Sequence, residues 1–362
     1  MTDVIVVGGG LAGLAAAYQA QREGARVTVL ESERRWGGVV VTERVAGDWI
    51  VEGGPDSFLG SDGAIPALAG ELSIAGRVVR QSAHGSARWT GHAVQPLSEG
   101  EAAALLGIQA NPEDLTAGHL SFAGGMGDLV DALVAAVRPA LRFGAGVSGI
   151  APANGGFRLS VTGGSALTGA AVILAVPAWR AAHLLRGLAP SAASLLGDIR
   201  YVPSLTVSLA YRAEQIGAPL AGTGFVVQPD AGIPVRACTY ASLKFPGRAP
   251  RGHVLLRAFL SPGTGGPGPL AHRTLAPILD IRGEPLWSRA YEWPRAIPFY
   301  GPEHAAQLAE VRRRLAGLGK IVLAGAGYDG AGVSSCVRSG REAASSLLAS
   351  STTRSTVSPS SR

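Results

Sequence analysis

Apolar positions fall along this chain in two kinds of pattern. Val4-Ile5-Val6-Val7 is an unbroken β-branched run, which reads as a strand buried on both faces. It leads straight into Gly8-Gly9-Gly10-Leu11-Ala12-Gly13. From Leu14 to Glu23 the spacing is helical, Gly24 stops it, and Arg26–Leu30 is a second strand ending at Glu31. Helix-like segments follow near Ile65–Leu72 and Glu99–Leu106. A clearer helix over Asp128–Val137 carries Leu129, Val130, Leu133, Val134 and Val137 on one side. Gly146–Ile150, Phe157–Val161 and Ala170–Val176 read as strands. Val202–Tyr211, Gly224–Gln228, Val235–Tyr240 and His253–Leu260 read as strands of a second sheet. Residues 261–269 are a Pro/Gly loop. Lys320–Leu323 is a last buried strand, and Val333–Leu348 a closing helix. The Ser/Thr-rich tail from Ala349 is expected to be disordered.

The opening βαβ unit carries chemistry. Gly8, Gly10 and Gly13 have the GxGxxG spacing between a strand and a helix, and an acid, Glu31, closes the second strand 18 residues after the last glycine. Gly8 makes the tight turn, Gly10 lets a pyrophosphate reach the backbone, and Gly13 allows close helix–strand packing. The N–H groups at the helix start face the phosphates, and Glu31 can bond ribose hydroxyls. The fold class is therefore α/β, with a Rossmann-like dinucleotide-binding domain and a smaller mixed-sheet domain.

Composition narrows this further. The chain has 362 residues, 47% hydrophobic and 16% charged, which excludes a disordered chain. Its 51 glycines are twice the ordinary share of ~7% and have no collagen period. The net charge is +6, carried almost wholly by Arg, since Lys244 and Lys320 are the two lysines. Those arginines are spread without aromatic interleaving, which argues against nucleic-acid binding. The two cysteines, Cys238 and Cys336, lie far apart, so neither a disulfide framework nor a zinc site is expected. No apolar stretch of ~20 residues reads as a membrane span, and there is no secretory signal pattern, so the expected location is cytoplasmic.

Gly37-Gly38 and Trp49-Ile50-Val51-Glu52-Gly53-Gly54-Pro55-Asp56-Ser57-Phe58, added to the first motif, resemble the two-dinucleotide-binding-domain flavoproteins of the amine oxidase type. Near the other end Leu323 to Gly340 again gives a strand, a glycine turn and a helix start aimed at an anion. Gly54–Leu59, Phe122–Met126, Trp293–Tyr300 with His304, and Gly330–Gly340 narrow the resemblance to the protoporphyrinogen and coproporphyrinogen oxidases of haem synthesis.

That resemblance implies FAD as cofactor, a porphyrinogen and molecular oxygen as substrates, and removal of electron pairs by the flavin. It implies that Glu31 holds the adenosine ribose, that the backbone at Val147 meets the adenine, and that Arg35, Gly37 and Gly38 run along the flavin side. Gly8, Gly10, Leu11, Ala12, Gly13, Gly53, Gly54, Pro55, Asp56, Gly325, Val333 and Ser334 complete the cofactor set. Trp293 stands near the flavin or fills the core. Arg88 is either the partner of a substrate carboxylate or a solvated loop residue. Phe225, Val227 and Tyr240 are either walls of an apolar pocket or plain core. Cys336 reads as an ordinary buried thiol. No catalytic side chain and no metal ligand is expected, because the cofactor carries the chemistry.

The implied division is 1–58, 119–180 and 318–348 for FAD, 59–118 as a truncated helical lid, 181–317 as the substrate domain, and 349–362 as the tail. The chain departs from the family between Pro96 and His119, where a long helical insertion is missing. It also departs at Phe299, where the family has Gln. The first departure leaves at most a peripheral membrane contact, and keeps open a truncated, non-catalytic flavoprotein or an amine-oxidase-like enzyme. Oligomeric state is not legible in the sequence.

Overall fold

The computed structural model describes residues 2–98, 100–105, 112–263 and 265–352. Its centre is a five-stranded parallel sheet in the order Leu141–Arg142, Arg26–Leu30, Asp3–Val7, Ala171–Leu174, Ile321–Leu323. Asp3–Val7 lies in the middle, with Ile5, Val6 and Val7 buried, which is why that run is apolar throughout. One face is covered by the opening helix Leu11–Arg22, the helices Ala64–Glu71 and Gly127–Val137, and the closing helix Val333–Thr352. The other is covered by a small sheet, Val147–Ala153, Gly156–Val161 and Leu167–Gly169, and by the helices Ala178–Leu185, Pro190–Gly197 and His304–Ala316. The closing helix continues to Thr352, so the first residues of the expected tail are helical and the rest lie outside the described residues.

A seven-stranded sheet follows in the order Trp287–Pro298, Tyr201–Arg212, His253–Leu260, Val235–Tyr240, Gly224–Val227, Ser86–Trp89, Val94–Leu97. Two of its strands come from the segment expected to be a helical lid: the hairpin Ser86–Trp89/Val94–Leu97 docks on Gly224–Val227. Of the short helix expected at Glu99–Leu106, Glu101–Leu105 is helical, while Glu99 and Leu106 lie outside the described residues. The loop expected over 261–269 ends early. Pro267 starts a helix to Leu279, since proline at a first helical position loses no hydrogen bond and has the right φ already. That helix packs on one face of the sheet through Ala271, Leu275 and Leu279. Trp49 and Val51 pack on the other face, against Ala210 and Leu255.

Candidate cofactor and substrate site

At the C-terminal end of Asp3–Val7 the backbone turns at Gly8 with φ +108°, in the region that disfavours side chains. A Cβ at Gly13 would lie 1.9 Å from the Gly8 carbonyl oxygen, so the opening helix can sit this close only with glycine there. Gly10 is different. A Cβ there would meet only the Gly38 Cα, at 3.8 Å, so space is left open at the helix start. That start has no side-chain cap, which leaves its first N–H groups, including those of Leu11 and Ala12, available to an anion. Glu31 is buried beside it. One carboxylate oxygen accepts the Gly9 N–H at 2.6 Å, and the other accepts the Glu33 N–H at 2.8 Å and the Ser32 hydroxyl at 3.1 Å. The Ala145 N–H donates to the Glu31 carbonyl at 2.7 Å, which brings the chain leading to Val147 alongside.

The chain's other glycine turn arrives at the same place. Gly325 follows the last parallel strand, and its N–H donates to the Ser339 hydroxyl at 2.8 Å. A Cβ at Gly340 would sit 2.1 Å from the Ala12 carbonyl oxygen, so the closing and opening helices cross backbone to backbone. Gly325 itself lies beside the start of the opening helix, where a Cβ on it would come 3.4 Å from the Ala12 Cβ. Val333 is buried there. The Ser334 hydroxyl is buried with no hydrogen-bond partner, which is costly unless a ligand supplies one.

Gly37 donates its N–H to the Gly9 carbonyl at 2.9 Å, which seats the Gly37-Gly38 turn beside Gly10. Beyond it, Arg35 stacks 5.8 Å from the Trp293 ring, and the Trp293 indole N–H donates to the Gly53 carbonyl at 2.8 Å. A Cβ at Gly54 would lie 1.7 Å from the Val39 carbonyl oxygen. Arg257 donates to the Gly54 carbonyl at 2.6 Å. Asp56, past Pro55, is paired with Lys244. Burial pushes its carboxyl up, but Lys244 and Arg257 outweigh that and hold it well below the ordinary aspartate value. The twin glycine turns, the open space at Gly10, the uncapped start of the opening helix and the orphaned Ser334 hydroxyl fit an extended dinucleotide.

The expected substrate residues divide between the faces of the seven-stranded sheet. Arg88 pairs across with Val226, Val226 with Ala237, Ala237 with Phe259, Phe259 with Thr206, and Thr206 with Tyr291. Directly paired residues share a face, so these six form one row. The row lies on the face turned toward Gly53 and Gly54. A Cβ at Gly53 would be 2.5 Å from the Tyr291 ring. Thr206 is buried with an unpartnered hydroxyl.

Phe225, Val227 and Tyr240 point the other way, into the core beneath the helix Pro267–Leu279. Phe225 and Tyr240 stack edge to face at 6.3 Å. Of the two roles open to these three in the sequence, the structure places them in the core, on the opposite face from Arg88. Arg88 lies on the strand Ser86–Trp89, tied to Gln95 at 3.4 Å, with its Nε buried and without a partner.

The residues missed by sequence reasoning are Val226, Ala237, Phe259 and Thr206, together with Lys244 and Arg257 behind the Gly53–Ser57 turn. Cys336 is a free, largely buried thiol whose burial pushes it up to about 11. Among the described residues no group of three or more His, Cys, Asp or Glu is placed to hold a metal ion.

Comparison with known proteins agrees with this geometry. The model of the flavin containing amine oxidoreductases matches residues 88–348, and that of an NAD(P)-binding Rossmann-like domain matches residues 6–72. A coproporphyrinogen III oxidase from Propionibacterium freudenreichii is 26% identical, over 95% of this chain and 90% of its own. That alignment runs over 487 positions against the 362 residues here, so more than a hundred positions face gaps in this chain. The coproporphyrinogen III oxidase of Bacillus subtilis is 28% identical over 53% of this chain and 43% of its own. In three dimensions, a candidate protoporphyrinogen oxidase from Exiguobacterium sp. 255-15 superposes with a TM-score of 0.82 at 23% identity, covering 96% of this chain and 99% of that one. With the family model spanning most of the chain and both glycine turns meeting at one mouth, the chain belongs to the flavin-containing amine oxidoreductase family and is an FAD-dependent oxidoreductase.

Proposed function

We propose that the protein is a porphyrinogen oxidase of haem biosynthesis, converting coproporphyrinogen III or protoporphyrinogen IX to the porphyrin with oxygen as acceptor. In this reading Glu31 holds the ribose of FAD and the segment at Val147 meets its adenine. The helix starts at Leu11 and Val333 hold its pyrophosphate, with Ser334 completing the contact. Arg35, Gly37, Gly38, Gly53, Gly54 and Trp293 flank the flavin. Bound FAD supplies a two-electron acceptor that oxygen can reoxidise.

The observation that carries the reading is the inward row of the seven-stranded sheet. Val226, Ala237 and Phe259 make an apolar floor between Arg88 and the Gly53–Gly54 turn. A flat apolar ring that bears carboxylates suits that floor, with its carboxylate paired to the Arg88 guanidinium. A protonated amine, the substrate suggested by the family's name, suits it less. Arg88 and Arg257 are cations on the same face, and Asp56 is already taken by Lys244. The names of the curated relatives support the same substrate class. Among the described residues no helix is long and apolar enough to cross a membrane.

Purified protein is expected to be yellow and to turn a colourless porphyrinogen into a fluorescent porphyrin in air. Arg88→Ala is expected to raise KM roughly tenfold, the loss of a charge-assisted hydrogen bond, with little change in kcat. FAD-loaded protein that oxidises an amine but neither porphyrinogen would replace the reading with that of an amine oxidase. FAD-loaded protein that oxidises none of these substrates would make it a non-catalytic flavoprotein.

A further inference from the structure

Two cations reach from the seven-stranded sheet into the cofactor half. Lys244 ends the short helix Ala241–Lys244, which follows the strand Val235–Tyr240, and it is nearly buried. Its ammonium lies 3.3 and 3.2 Å from the two Asp56 carboxylate oxygens and 3.2 Å from the Ser57 hydroxyl, so its donors are fully engaged. Arg257, from the strand His253–Leu260, donates to the Gly54 carbonyl at 2.6 Å. Both hold the same five residues, Gly53 to Ser57.

That turn is gripped along its length. The Gly53 carbonyl accepts from Trp293, the Gly54 carbonyl from Arg257, and the Asp56 carbonyl from the Ser121 hydroxyl, while the Asp56 carboxylate accepts from Lys244 and Ser57. Its own backbone cannot do this work. Gly54 is pressed against Val39, and the chain from Pro55 to Ser57 has no regular secondary structure. A buried ammonium–carboxylate pair costs desolvation that an apolar contact of the same size would avoid, so stability alone is a weak reason for it. What the pair adds is a defined position, because a carboxylate bonded through both oxygens can neither rotate nor slide.

We propose that Lys244 and Arg257 are positioning residues, a two-cation clasp that sets the Gly53–Ser57 turn against the inward row and so fixes the flavin side of the cradle. The inference rests on the reading that this turn lies against FAD.

The test is titration of flavin-free protein with FAD, followed by flavin fluorescence, beside thermal unfolding of the same flavin-free protein. Lys244→Met is expected to weaken FAD binding roughly tenfold or more, the scale of a lost charged hydrogen bond. Lys244→Arg, which keeps the charge, is expected to stay within about threefold of wild type. Because Lys244→Met strands the Asp56 carboxylate and could unfold the turn, the double variant Lys244→Met/Asp56→Asn separates position from stability. Its unfolding temperature is expected to recover while FAD binding stays weak. Wild-type affinity in Lys244→Met or in the double variant would overturn the clasp, and so would equal weakening by Lys244→Arg and Lys244→Met. If Lys244→Met alone is normal while wild type binds FAD, only the clasp falls. If wild-type protein takes up no FAD, the reading of the cradle falls and the clasp falls with it.

Discussion

At the mouth of the parallel sheet the groups presented to a ligand are almost all backbone: N–H groups at two helix starts, and glycines that leave room. On the inward face of the seven-stranded sheet the contacts proposed for a substrate are side chains: Arg88, Val226, Phe259 and Thr206. The difference decides what each region tolerates. A site of backbone depends on the absence of atoms, so adding a methyl group damages it while side chains nearby can vary. A site of side chains depends on which residue of an alternating strand points inward, and a shift of one residue turns the whole set over.

The largest effect expected from this contrast is at the glycines, and it separates two kinds of them. Gly13→Val would force a side chain into the Gly8 carbonyl, at 1.9 Å already for the Cβ. It is expected to cost about 3 kcal/mol or more, the upper end of overpacking, and to abolish FAD binding together with stability. Gly10→Ala meets no protein atom closer than 3.8 Å and sits at an ordinary φ of −72°. It is expected to leave the unfolding temperature of flavin-free protein within a degree or two while weakening FAD binding roughly tenfold or more, because its methyl occupies ligand space. Parallel titrations and melts check both. A Gly10→Ala protein that binds FAD normally would mean that the open space at Gly10 is not part of the cradle.

The second contrast lies within the seven-stranded sheet. Phe225 is buried, 2% exposed, on the core face, so Phe225→Ala is expected to destabilise by about 3–5 kcal/mol and leave KM near wild type in the protein that still folds. Phe259→Ala, on the inward row, is expected to raise KM several-fold at a smaller cost in stability. Steady-state kinetics and denaturant melts on the pair distinguish the faces, and a KM effect from Phe225→Ala with none from Phe259→Ala would reverse the assignment.

This pair also marks how far the sequence could be read. Gly8, Gly10, Gly13 and Glu31 were legible because their chemistry is local: strand, turn, helix and acid follow one another within a single βαβ unit. Gly325 and Ser334 were legible for the same reason, at the second strand–turn–helix. The strands of the second sheet were legible as well, but not the face each residue takes. Gly224–Val227 and His253–Leu260 are apolar at nearly every position because both of their faces are covered, so period-2 alternation is silent there. Phe225 and Val226 look equivalent until Arg88 is seen opposite Val226. Lys244 was visible only as a rare lysine, since Asp56 is 188 residues away and nothing local joins them.

The smallest effect expected is at Ser334, and it has opposite signs in the two forms of the protein. Its hydroxyl is buried without a protein partner, and such a group costs free energy that an apolar replacement does not. Ser334→Ala keeps the helix, since alanine is the better helix former. Flavin-free Ser334→Ala is therefore expected to be as stable as wild type or more so, by up to about 1 kcal/mol. If FAD supplies the missing partner, the same substitution removes one hydrogen bond from the complex. Affinity is then expected to fall about five-fold, so that the gain in melting temperature on adding FAD shrinks. The signature is the crossing of two trends, a higher unfolding temperature without FAD and a smaller shift with it. A variant less stable in both forms would place the Ser334 hydroxyl in the packing of the closing helix and remove it from the cradle.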